Sequence, residues 1–243
     1  MKFQTVLAGV IAASLTGLAL AQTGPAADVE TPTVAEAAAQ PESWRKVDPE
    51  NVLVFDTTKG EIVIEMFPEV APAHVDQFRK LAQSGDLDGT VFHRVIDDFM
   101  AQGGDTDAVF EARGLEPKVV TDPETGETLC YGLYGQWPCV DGEFTFRRTP
   151  KDMPIDGIGN PESATAGYYK GAPMATQASF LADLTADGTV ESWIPHCPGV
   201  VSTARTDDPN SATTQFFLMR QTSDHLDKAY TAWGRVVRGL DVV

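Results

Sequence analysis

The chain has 243 residues, 42% of them hydrophobic and 9% aromatic, which is enough apolar material for one core that needs no metal or disulfide merely to fold. Its 35 acidic residues against 18 basic ones give a formal charge of −17 with the histidines neutral, so nucleic-acid phosphates would be repelled over most of the surface. Binding of nucleic acid is excluded on that ground.

Residues 1–21 read as a secretory signal, with Lys2 as the positive start, an apolar stretch over residues 6–20 and Ala19-Leu20-Ala21 as the cleavage site. Ser14, Thr16 and Gly17 interrupt the stretch, which is shorter than a membrane span, so no stable membrane insertion is expected after cleavage. Loss of Lys2 would leave 17 basic against 35 acidic residues, a charge of −18 on an exported, periplasmic or secreted, chain. Residues 22–43 are rich in Ala, Pro and acidic residues and hold no aromatic, which is the composition of a disordered linker.

From residue 44 onwards the pattern is that of a folded domain. Residues 52–55 and 61–66 are β-rich runs joined by a turn at Asp56-Thr57-Thr58-Lys59-Gly60, which predicts a hairpin. Val75, Phe78 and Leu81 then follow a helical spacing between Pro72 and Gly85, so an amphipathic helix of about three turns is expected there. Residues 91–96 read as a strand and Gln102-Gly103-Gly104-Asp105 as a tight turn.

Residues 106–198 are rich in Gly, Pro, Asp and Thr, and a structureless loop of that length is improbable inside a compact domain, so local structure is expected. An oxidising compartment permits disulfides, and Cys130 with Cys139 is the expected pair, although Cys197 is able to join either or stay free. Strands resume at residues 199–202, 215–219 and 231–237.

Residues 92–105, FHRVIDDFMAQGGD, resemble the FHRVIxxFMxQGGD signature of the cyclophilins, and residues 199–236 resemble that family's later block with its Ala-containing loop, SQFF-like strand and LD-containing turn. The likeness covers residues 52–105 and 199–243 and leaves the middle as an insertion, 106–198, within a domain of residues 44–243; its residues read as too polar to supply an essential core, so it is expected to be dispensable for the chemical step. It implies a mainly β fold, a closed antiparallel barrel of eight strands capped by helices, with a proline groove on its outer face. It also implies that residues 239–243 begin a second capping helix and that a closing strand would lie beyond Val243, so the chain looks truncated at its C-terminus.

The implied activity is peptidyl-prolyl cis/trans isomerisation, with no cofactor, no metal and proline-containing polypeptides as partners; the oligomeric state is not legible in the residues, a monomer being the expectation. By motif correspondence Arg94 would be the catalytic residue, Phe99, Met100, Phe217 and Leu226 the apolar pocket, and Gln102, Ala204 and Gln215 the holders of the preceding peptide. Tyr230 stands where the best-known eukaryotic pattern has a His, and His225 where it has the Trp that helps bind cyclosporin, so weak cyclosporin affinity is implied.

The chemistry suits these residue types. An X-Pro bond has little trans preference but a rotation barrier of ~20 kcal/mol from amide resonance, and a guanidinium that bonds the substrate as the amide twists favours the twisted state over the planar one. A competing reading is a non-catalytic proline-peptide-binding or chaperone module, favoured if the insertion covers the groove. Disulfide exchange is weakly supported, since no C-x-x-C occurs and a reactive thiol would be needed. His74, His93, His196 and His225 form no zinc spacing, and neighbours such as His196 and Cys197 on a strand point to opposite faces, which argues against a Cys/His dyad.

Overall fold

The computed structural model describes residues 45–157, 160 and 162–243, together with Ala39. The expected signal, and the linker apart from Ala39, lie outside the described residues.

The predicted hairpin forms as strands β1 (Val52–Thr57) and β2 (Gly60–Met66), paired from Val52 opposite Glu65 to Thr57 opposite Gly60. Helix α1 (Pro72–Ser84) follows, with Pro72 in its first turn and Gly85 ending it in the left-handed region at φ 73°. Its N-cap, Ala71, has no side chain able to bond the free amides. Glu143 supplies that bond from far along the chain, accepting from the N–H groups of Ala73 and His74 at 3.1 Å each and meeting His74 Nδ1 at 2.8 Å.

The expected strand over residues 91–96 is shorter, β3 (Arg94–Ile96), and Gln102 and Gly103 belong to a strand rather than to a tight turn, β4 (Met100–Gly103). The reversal falls instead at residues 97–99, where Asp98 takes φ 56°, a region that Asp tolerates better than most residues. Gly104 then sits at φ 79°, where a Cβ would lie 2.5 Å from the Thr214 carbonyl oxygen and 2.8 Å from the Phe216 ring.

Residues 106–198 do carry structure of their own: a short helix α2 (Asp107–Ala112) and strands β5 (Phe146–Arg148), β6 (Asp156–Gly157), β7 (Ala166–Tyr169), β8 (Ala172–Thr176) and β9 (Val190–Trp193). These strands form an antiparallel sheet in the order β5-β9-β8-β7-β6. Cys130 and Cys139 are bonded, and Cys197 is a free thiol.

Strands β10 (Val200–Thr203), β11 (Phe216–Met219) and β12 (Ala232–Arg238) complete the main antiparallel sheet, ordered β1-β2-β12-β10-β11-β4-β3. Four strand steps separate β1 from β11, about 19 Å in a flat sheet. Yet Phe55 and Phe216 stack with ring centroids 5.0 Å apart, so the sheet curls strongly. Helix α1 fills the curl, its Phe78 stacked 4.2 Å from Trp233 and edge-on to Phe216 at 5.8 Å.

Two expectations need correction. The main sheet has seven strands, not eight, and among the described residues no pairing joins its edges β1 and β3, so the barrel is not closed. Nor is the insertion too polar to serve the core: its Ile155, Ala172, Met174 and Ile194 are buried in one cluster with Phe78, Leu218 and Trp233.

Candidate active site

Strand pairing sets the site. Arg94 on β3 is opposite Gln102 on β4, and Gln102 is in turn opposite Phe217 on β11. Directly paired residues share a face, so these three side chains stand side by side on the outside of the curl, while the alternate residue Phe216 points into the core. Arg94 Nη1 donates to Gln102 Oε1 at 3.2 Å, and Gln102 Nε2 donates to Gln215 Oε1 at 2.9 Å. The Arg94 guanidinium is exposed and makes no ion pair among the described residues, while Asp97 pairs with Arg220 at 2.6 Å.

Beside this row opens a pocket of about 240 Å³. Arg94 and Gln102 line one side, Phe99 and Met100 come from the β3–β4 hairpin, and Phe217 forms the floor. The opposite wall is the 3₁₀ helix Asp224–Leu226 and the turn that follows it, which contribute Leu226 and Tyr230, with the Tyr230 ring edge-on to Phe217 at 5.7 Å. Ala204, just past β10, lies at the rim. The pocket is thus apolar at its base and has one free guanidinium at its edge, an arrangement able to hold a pyrrolidine ring next to a strong donor.

The structure therefore brings together Arg94, Phe99, Met100, Gln102, Ala204, Phe217, Leu226 and Tyr230. Gln215 stands just outside this pocket, bonded to Gln102, and lines a neighbouring cavity of about 80 Å³ with Phe110 and Tyr134. His225 is exposed on the rim, stacked on Phe99 at 6.0 Å.

Arg205 also lines the pocket and was missed in the sequence. Its Nε and Nη2 donate to the carbonyl of Ala229 at 3.0 and 2.9 Å, its Nη1 donates to Thr206 O at 2.7 Å, and its face covers the Tyr230 ring at 4.5 Å. The only signal was its place next to Ala204.

Behind the floor, Asp227 Oδ1 accepts from the backbone N–H of His196 at 2.8 Å and meets its Nδ1 at 3.0 Å, while Ser202 Oγ meets its Nε2 at 2.8 Å. Nδ1–H donating to Asp227 leaves Nε2 to accept from Ser202. Burial pushes the imidazole below the usual histidine range and outweighs the upward pull of Asp227. Although Ser, His and Asp are in line, Ser202 has no exposed surface, so it cannot act as a nucleophile. Both His196 nitrogens are engaged away from Cys197, and burial pushes that thiol upward, against the reactivity a disulfide exchanger needs.

The family model described as cyclophilin type peptidyl-prolyl cis-trans isomerase/CLD matches residues 52–243, running through the segment that carried no recognisable motif. A probable peptidyl-prolyl cis-trans isomerase of Brucella suis is 30% identical over 196 residues, covering 81% of this chain and 71% of that one. A putative enzyme of the same description from Staphylococcus aureus is 48% identical over 56 residues, 23% of this chain and 28% of that one. Among solved structures, a cyclophilin from Hirschia baltica shares 46% identity and a TM-score of 0.72, over 87% of this chain and 73% of that one.

Proposed function

The chain belongs to the cyclophilin-type peptidyl-prolyl cis-trans isomerases, and from that premise we propose that Arg94 performs the catalytic step and that the substrates are exported polypeptides containing proline. When an X-Pro amide twists, the prolyl nitrogen loses its conjugation and regains a basic lone pair. A donor fixed beside the pyrrolidine ring bonds that lone pair in the twisted state and has little to bond in the planar one, which is differential stabilisation. Phe99, Met100, Phe217 and Leu226 hold the ring, and Gln102 orients the guanidinium. No covalent intermediate is required.

The observation that carries this reading is the Arg94, Gln102 and Phe217 row beside an open apolar pocket, with Arg94 unpaired among the described residues. A purely binding module would be favoured by an insertion lying over the groove. Every residue lining the pocket lies outside residues 106–198. Export is supported by the signal-like start of the chain and by the Cys130–Cys139 bond, which persists in an oxidising compartment. Uncatalysed proline isomerisation takes tens of seconds, so a catalyst there would speed the folding of exported chains.

The test is magnetisation exchange in a short Ala-Pro peptide. Wild-type protein should accelerate it, and Arg94→Ala should lower the rate by about 10²- to 10³-fold with circular dichroism unchanged. Wild-type turnover in a folded Arg94→Ala variant would sink the mechanism.

A further inference from the structure

We propose that Trp193 and Glu191 of the inserted sheet are positioning residues for the isomerase reaction, acting through Lys228 on the wall of the proline pocket; this rests on the isomerase reading above. Residues 226–230 form one tight turn, with the N–H groups of Ala229 and Tyr230 both donating to Leu226 O at 3.1 Å. Its two ends, Leu226 and Tyr230, are the pocket wall. Lys228 sits between them in the left-handed region, φ 58°, a conformation that a residue with a Cβ holds only when its surroundings enforce it.

The Lys228 side chain is anchored by β9. Lys228 Nζ lies 3.9 Å from the centroid of the Trp193 ring and 3.2 Å from Glu191 Oε2. Trp193 is itself held in register opposite Ala175 of β8, so the anchor is a sheet and not a loop. The buried indole Nε1–H has no partner among the described residues, which means the residue serves by its ring face and not by its donor. The flanking turn residues bond elsewhere, Asp227 to His196 and Ala229 to Arg205, and among the described residues the side-chain hydrogen bond from the turn to a strand of the inserted sheet is that of Lys228.

Loosening the wall should weaken the grip on the pyrrolidine ring in the planar and twisted states alike, because neither Leu226 nor Tyr230 tracks the rotating bond. Such uniform loss raises KM and leaves kcat in place. Peptide exchange rates measured against substrate concentration should give Trp193→Leu a KM raised about three- to tenfold with kcat within about twofold of wild type. Trp193→Phe, which keeps a ring face and gives up only an unpartnered donor, should restore wild-type KM. Lys228→Met should match Trp193→Leu, and the double variant should be no worse than either single one.

A folded Trp193→Leu protein with wild-type KM, effects that add in the double variant, or a fall in kcat at constant KM would each overturn the proposal. Should Trp193→Leu fail to fold, Glu191→Gln at a partly exposed position and Lys228→Met at an exposed one carry the same test. Wild-type protein without isomerase activity would refute the reading of the site instead, so the two failures are told apart.

Discussion

Arg205 contributes to the pocket by holding other groups in place. Its fork on the Ala229 carbonyl and its face on Tyr230 leave it little to offer a substrate directly. Arg205→Ala should free Tyr230 and lower kcat/KM by about tenfold, a part of the ~2 kcal/mol or more that a cation–π contact and a charged hydrogen bond contribute together. Arg205→Lys should recover little of this, since an ammonium cannot make the fork. Unchanged kinetics in Arg205→Ala would show that Tyr230 holds its place unaided. Arg94, Phe99 and Phe217 were legible in the sequence because their neighbours form a recognisable run. Arg205 and Lys228 were not, because their roles depend on partners that only the fold brings near, the Ala229 carbonyl for one and the Trp193 ring for the other.

At the scale of elements, helix α1 depends on a cap borrowed from the insertion. Burial alone would raise the Glu143 carboxyl, but hydrogen bonds from the His74 ring and from the amides of His74 and Ala73 prevail, and it sits below the usual glutamate range. A carboxyl lowered on folding stabilises the native state above its ordinary value of 4.5 and loses that contribution as pH falls through the lowered one. The depressed His196 acts in the same direction at higher pH: from about 6.5 downward the unfolded chain binds a proton that the folded one does not, so stability falls there too. Melting temperature should therefore decline from pH 6.5 into the acid range. Glu143→Gln should cost about 1 kcal/mol at neutral pH and flatten the lower part of that decline. A parallel decline in wild type and variant would remove Glu143 from the account. Strands β1 and β2 were readable from their β-branched residues, and β11 from its continuous apolar run with two aromatic residues. Strands β6, β7 and β8 were not, since AGYY and APMAT contain few residues that favour a strand, and pairing with neighbours makes them one.

For the whole molecule, the insertion proves to be structural. Replacing residues 106–198 by a Gly/Ser connector would remove Ile155, Ala172, Met174 and Ile194 from the core and Glu143 from helix α1. The apolar loss alone is on the order of 5 kcal/mol, comparable to the whole stability of a typical domain. The shortened chain should therefore fail to show a cooperative melt, the reverse of what its polar composition suggests. A folded, active shortened chain would disprove this. Reducing Cys130–Cys139 is a milder intervention, expected to cost about 2 to 3 kcal/mol from the loop it closes and to leave peptide exchange intact.

The row of Arg94, Gln102 and Phe217 has a kinetic consequence. Side chains alternate between faces along a strand, so a slip of β4 by one residue would turn Gln102 into the core and present Ala101 to the groove. Packing of Phe78 on Trp233 depends on α1 and β12 and could form while β4 is still misregistered. During refolding from denaturant, tryptophan burial should then report collapse, whereas the return of turnover should report the moment when three neighbouring strands settle into their final alignment.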